Sequence, residues 1–129
     1  MASVARIARP VYIVMTVLFV IGVVVQFFSA GRGLLGGETM EFHEEFGYAA
    51  VHLFPVLMLL VALVSRLPRP LLFMTLGLAI VTFVQPIWVD EFRGELLGAF
   101  HLLGALIMAW LARDIAERAV RFWRTREAA

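Results

Sequence analysis

Residues 38–70 read ETMEFHEEFGYAAVHLFPVLMLLVALVSRLPRP. Four carboxylates and a histidine crowd its first eight positions, an apolar run comes next, and the stretch ends in two arginines set among prolines. That is the pattern of one membrane crossing with a wet acidic entrance and a basic, tightly turned exit. A helix rises ~1.5 Å per residue, so about 20 apolar residues cross a hydrocarbon layer ~30 Å thick. The rest of the chain agrees. Of 129 residues, 62% are hydrophobic and only 16% are charged, and mean hydropathy is +0.91. A soluble domain of this length has too little interior to hide that much apolar side chain.

Outward from this segment lie three similar runs. They predict an all-α, four-helix transmembrane up-down-up-down bundle with spans at about 10–30, 42–65, 70–89 and 95–113. Residues 1–129 form one integral membrane domain, and 114–129 form a cytoplasmic amphipathic tail. Strands are excluded because lipid demands helices or a closed barrel and no period-two alternation occurs. Pro10 and Pro70 fall where a first helical turn has no use for an N–H. Pro55 and Pro86 fall inside runs and should bend them. The first run is too long for the apolar core of a signal peptide, and Ser29–Ala30–Gly31 makes a weak cleavage site.

The charges orient the bundle. Nine arginines (6, 9, 66, 69, 113, 118, 121, 124 and 126) fall on one side of these spans. The other side holds Arg32 and Arg93 with seven carboxylates: Glu38, Glu41, Glu44, Glu45, Asp90, Glu91 and Glu95. The positive-inside rule places both termini in the cytoplasm of a multi-pass plasma-membrane protein, with the 31–42 and 90–95 loops outside. Beyond span four the tail should meet anionic lipid through its arginines, with Phe122 and Trp123 at headgroup level; docking to a partner is the rival reading. There is no cysteine, so disulfides, thiolate chemistry and Cys-ligated metals are excluded. No P-loop, no Ser-His-Asp arrangement and no nucleic-acid footprint is present.

The two halves resemble each other. Gln26 precedes His43 by 17 residues and Gln85 precedes His101 by 16; each histidine comes directly after a phenylalanine and precedes a glycine, Gly47 or Gly104. The chain thus reads as two helical-hairpin repeats, with His43 and His101 in equivalent places. Ionisable side chains inside a span are costly and mark function. In an up-down-up-down bundle spans two and four are diagonal, with axes roughly 12–14 Å apart. Two imidazoles reaching inward could then ligate one haem iron. Gly47, Gly98 and Gly104 would leave room for the macrocycle, Arg32 or Arg93 would pair with propionates, and Gln26 and Gln85 would hydrogen-bond a ligand histidine or a propionate. His52, nine residues after His43, should point to the opposite side of span two, either bonding a carbonyl freed by Pro55 or serving as a proton relay, a quinone contact or a ligand of a second site. Close helix packing through the GELLG motif at 94–98 is the plainer account of the glycines.

The acidic cluster has two readings as well. Glu41, His43, Glu44 and Glu45, with Asp90, Glu91 and Glu95, could form an outward-facing His/carboxylate metal site. The plainer reading is a solvated helix start, negative where the helix dipole favours it, with Thr39 as N-cap.

Two resemblances rest on these residues. Gln26 with Ala30 and Gly31, His43 and Gly47, then Gln85, His101 and Gly104 resemble a family of small, mainly actinobacterial four-span proteins of unknown function. More distantly, Glu38 to His43 and Phe100–His101–Leu102–Leu103 resemble one half of haem A synthase. That resemblance implies haem held near the outer surface by histidines opening the second and fourth helices. The chain departs from it in lacking a cysteine pair and in carrying Glu44 where an arginine stands after the first histidine. A lone half lacks that family's second haem site unless two copies form a homodimer. The expectation is therefore a haem b protein ligated by His43 and His101, transferring single electrons near the outer face with quinone or a partner oxidoreductase. Its rivals are a non-catalytic accessory or small-molecule-binding subunit, and the metal site above.

Overall fold

The computed structural model describes residues 2–127, with side chains described from 4 to 125. Helix α1 (Ala2–Leu35) is span one. Span two is built in three pieces, α2 (Glu41–Phe46), a π turn (Gly47–Val51) and α3 (Leu53–Val64). Span three is α4 (Arg69–Asp90), and a 3₁₀ turn (Leu96–Ala99) leads into α5 (Phe100–Glu127), which is span four. All four spans are long and apolar enough to cross a bilayer. Each packs on its neighbours in sequence and α5 closes back on α1, giving the expected up-down-up-down ring. The outer surface is apolar almost throughout, as a membrane bundle requires: Val24, Phe28, Phe73 and Trp110 all face outward.

Several boundaries differ from the sequence expectation. α1 begins eight residues before Pro10, so that proline lies inside the helix and not in its first turn. Pro70 does occupy the first turn of α4. Thr39 does not cap α2, whose N-cap is Met40 without a side-chain bond. Gly94 sits in a turn at φ +86° and Gly98 in the 3₁₀ turn, so GELLG is not a helix-packing motif. The tail continues α5 as a helix, but Ile115 and Ala119 are fully covered and Phe122 packs against the core. Phe122 therefore packs against the end of the bundle. Residues 128–129 of the expected tail lie outside the described residues, as does the Arg126 side chain.

The terminal end of the bundle is tightly packed. Tyr12, Met58, Leu78 and Ile115 are fully buried there and in the middle. Thr75 Oγ1 donates to the Leu71 carbonyl at 2.8 Å, so the Tyr12 hydroxyl, 2.5 Å away, donates to Thr75 and ties span one to span three across the diagonal. Arg9 donates to the Ser65 carbonyl at 3.2 Å and its guanidinium lies 5.9 Å from the Phe122 ring centre. One side chain thereby joins the start of α1, the 65–69 turn and the end of α5.

A histidine pair across the bundle

The opposite end is built around the second diagonal. Gln26, near the end of span one, offers its backbone carbonyl to His43 Nδ1 at 3.1 Å. Gln85, at the matching place in span three, offers its carbonyl to His101 Nδ1 at 3.0 Å. A carbonyl can only accept, so Nδ1 carries the proton in both rings and each Nε2 is left with a bare lone pair. Ser29, three residues after Gln26, donates to the same Gln26 carbonyl at 3.0 Å, and its hydroxyl lies 3.3 Å from His43 Nδ1. The two imidazoles stand with centroids 6.2 Å apart and planes at 78°.

The glycines of the repeat serve the glutamines. A Cβ at Gly47 would lie 2.5 Å from Gln26 Nε2, and one at Gly104 would overlap the Gln85 amide nitrogen. Each glycine thus lets a glutamine side chain lie flat on the next helix. Gly98 faces elsewhere: a Cβ there would lie 2.5 Å from the Phe92 carbonyl oxygen, so it permits the 90–95 loop to fold back. These three glycines were expected to clear space for a ring; all three make room for protein atoms, and of them Gly47 alone also lines the cavity at this end.

A cavity of about 540 Å³ lies at this end, within the size range of cofactor sites. It brings together His43, His101, Gln26, Gln85, Gly47 and Arg93 among otherwise mostly apolar walls. Arg32 and Gly98 do not line it. Arg32 pairs instead with Glu38 and covers the Phe28 ring. Arg93 stands at the mouth, 3.9 Å from Glu44. The carboxylates of the alternative metal-site reading are dispersed, Asp90 accepting from the Tyr48 hydroxyl at 2.9 Å. Among the described residues no three histidine or carboxylate side chains converge as a metal site.

His52 corrects a sequence expectation. It lines this same cavity instead of the opposite face. The cause is the π turn: the His52 N–H bonds the Gly47 carbonyl five residues back at 3.0 Å, and one inserted residue rotates the remainder of the span by about 100°. Pro55 explains why the turn relaxes here, since it has no N–H for the carbonyl of Val51. The expected bond to a carbonyl exists, but its acceptor is Gly47, 2.6 Å from His52 Nδ1. Ser29 and Tyr48 were not anticipated. Ser29 had a sequence signal in its position three after Gln26; Tyr48 had none.

Residues 26–91 match the model of a family described as a family of unknown function, DUF6220. The matched segment runs from Gln26 through His43 and Gln85 to just past the end of α4, and stops short of His101. No curated protein and no solved structure gives a significant match. The chain, a multi-pass membrane bundle with a histidine pair across its interior, belongs to the DUF6220 family of unknown function.

Proposed function

We propose that this protein binds one b-type haem between His43 and His101 and passes single electrons near the outer face of the plasma membrane. The observation that carries the reading is the 6.2 Å separation of the two ring centres. A metal–imidazole bond of about 2 Å plus about 1 Å from nitrogen to ring centre would put two imidazoles that share one metal roughly 6 Å apart. The tautomer fits as well, since Nδ1–H bound to a carbonyl fixes each ring and leaves Nε2 to ligate.

A haem would supply reversible one-electron chemistry; the chain supplies the rest. His43 and His101 would ligate, the carbonyls of Gln26 and Gln85 hold and polarise them, and Val23, Phe27, Val89 and Met108 keep water out. Arg93 at the mouth suits a propionate; Arg32, occupied by Glu38, suits it less. The nine arginines on the terminal side support cytoplasmic termini, so the histidine end would face outward. Electrons would come from or go to a quinone or a partner oxidoreductase. The likeness to half of haem A synthase belongs to this proposal, without that enzyme's modifying chemistry.

Purified protein from haem-sufficient cells tests the reading. A Soret band that shifts on reduction, and disappears in both His43→Ala and His101→Ala, is the expected result. A colourless protein would overturn it in favour of an accessory subunit whose histidines only tie neighbouring helices together.

A further inference from the structure

Two buried acceptors on the cavity wall carry an inference beyond haem. Among the described residues, the buried side-chain polar atoms without a hydrogen-bond partner are His52 Nε2 and Gln85 Oε1. Both residues line the cavity of the histidine pair, and Gln85 also borders a smaller one of about 220 Å³ beside Gly104. Each atom is an acceptor for a definable reason. His52 Nδ1 lies 2.6 Å from the Gly47 carbonyl, so it carries the proton and Nε2 does not. Gln85 Nε2 donates to the Val81 carbonyl at 3.4 Å, which leaves Oε1 facing no donor. Gln85 is only 5% exposed, so water from bulk does not compensate it.

The repeat shows that this is not forced by the architecture. Gln26 has Ser29, whose hydroxyl lies 3.4 Å from Gln26 Oε1. Three residues after Gln85 stands Trp88, which has no hydroxyl. The first hairpin sets a hydroxyl beside its glutamine's side-chain oxygen and the second sets none. Unsatisfied buried acceptors select ligands that bring donors. A porphyrin edge and ionised propionates bring none.

We propose that the wall at His52 and Gln85 binds the hydroxyl-bearing, reduced form of a lipid-soluble quinone in preference to the dione. A hydroquinone presents two O–H donors on a flat ring, whereas the dione presents two acceptors, which neither His52 Nε2 nor Gln85 Oε1 can satisfy. The surroundings suit such a ring. His52 stacks on Tyr48 at 5.4 Å and 18° and meets the Phe83 edge at 6.1 Å. The bundle's apolar exterior gives a lipid-soluble ligand a route in. The choice of a redox-active ligand rests on the electron-transfer reading above; the donor requirement of the wall does not.

The test is equilibrium dialysis of the full-length protein in lipid nanodiscs, without oxygen, against a short-tailed p-hydroquinone and its p-quinone. The hydroquinone should bind about tenfold or more tightly. His52→Phe keeps the ring stacking and removes the acceptor; Gln85→Leu removes the other. Each should cost the hydroquinone about tenfold and leave the dione unchanged. Equal affinities, no binding of either form, or unaltered hydroquinone affinity in His52→Phe would overturn the proposal, and His52→Phe decides alone if Gln85→Leu fails to assemble. The Soret band of the same samples separates the two ideas. Its absence with the preference intact would remove haem only, and its presence without the preference would remove the hydroquinone site only.

Discussion

The two hairpins build the same station with different fittings. In both, a glutamine carbonyl holds a histidine Nδ1, at 3.1 Å in the first and 3.0 Å in the second, and a glycine lies against that glutamine's amide. Only the first hairpin adds Ser29, a π turn and His52. In the second, the residue nine beyond the histidine is Trp110, which faces outward. What is built twice positions the paired imidazoles. What is built once bears on what else the cavity accepts. The two ties to glutamine carbonyls fix both tautomers by themselves, whereas the 6.2 Å approach of the two rings is what brings the hairpins together across the diagonal.

The most severe way to break this comparison is to remove one imidazole at a time. His43→Ala and His101→Ala should each abolish the Soret band, with haem affinity down by about 100-fold or more, because a bis-imidazole site does not survive on one ligand. The double variant should be no worse than either single one. If one variant kept a normal spectrum, the stations would not be equivalent and the pairing across the diagonal would have another purpose.

Next in size are the glycines. Gly104→Ala pushes a methyl into the Gln85 amide, which is walled in, and should lower stability by about 1–3 kcal/mol. Gly47→Ala meets the end of the Gln26 side chain, which is less buried and better able to move, and should cost less. Thermal unfolding in detergent would show the order. The reverse order would mean that the π turn of the first hairpin, not the glutamine, sets the tolerance there.

The other diagonal provides the control. Tyr12→Phe removes a hydroxyl that donates to Thr75, while Thr75 keeps its bond to the Leu71 carbonyl. A loss of about 1 kcal/mol in unfolding stability is expected, with the Soret band unchanged. A spectral change would show that the packed end and the histidine end are mechanically coupled.

Much of this architecture was legible because lipid imposes strict rules. Span number, ring order and the equivalence of His43 and His101 come from hydropathy, short connections and the repeated Gln–His spacing. The misreadings have separate, local causes. Helical-wheel arithmetic placed His52 on the wrong face because it assumes 100° per residue, and the π turn beside Pro55 breaks that assumption locally. Helix ends such as those of α1 lie in the polar layers, where hydropathy gives no constraint. The glycines stood out in the sequence, but a missing side chain does not say whether a cofactor or a glutamine fills the space.

The smallest expected difference concerns Arg32 and Arg93, which sequence alone could not rank. Both lie at the histidine end, yet Arg32 is held by Glu38 and covers Phe28, whereas Arg93 stands at the cavity mouth with only the 3.9 Å approach of Glu44. A propionate at the mouth would gain a charge-assisted bond from Arg93 without breaking a strong pair. Exposure limits the effect, because water and salt screen a guanidinium whose side chain is 71% exposed. Arg93→Gln should therefore weaken haem retention only about two- to fivefold, the scale of an exposed ion pair, and the loss should shrink as salt is raised. Arg32→Gln should leave retention unchanged, since it frees Glu38 without touching the cavity. Competition for haem by an apo-globin measures both. Equal effects would place the anionic edge of the ligand between the two loops, on the side away from Arg93, and would require the hairpins to share the mouth as evenly as they share the imidazoles.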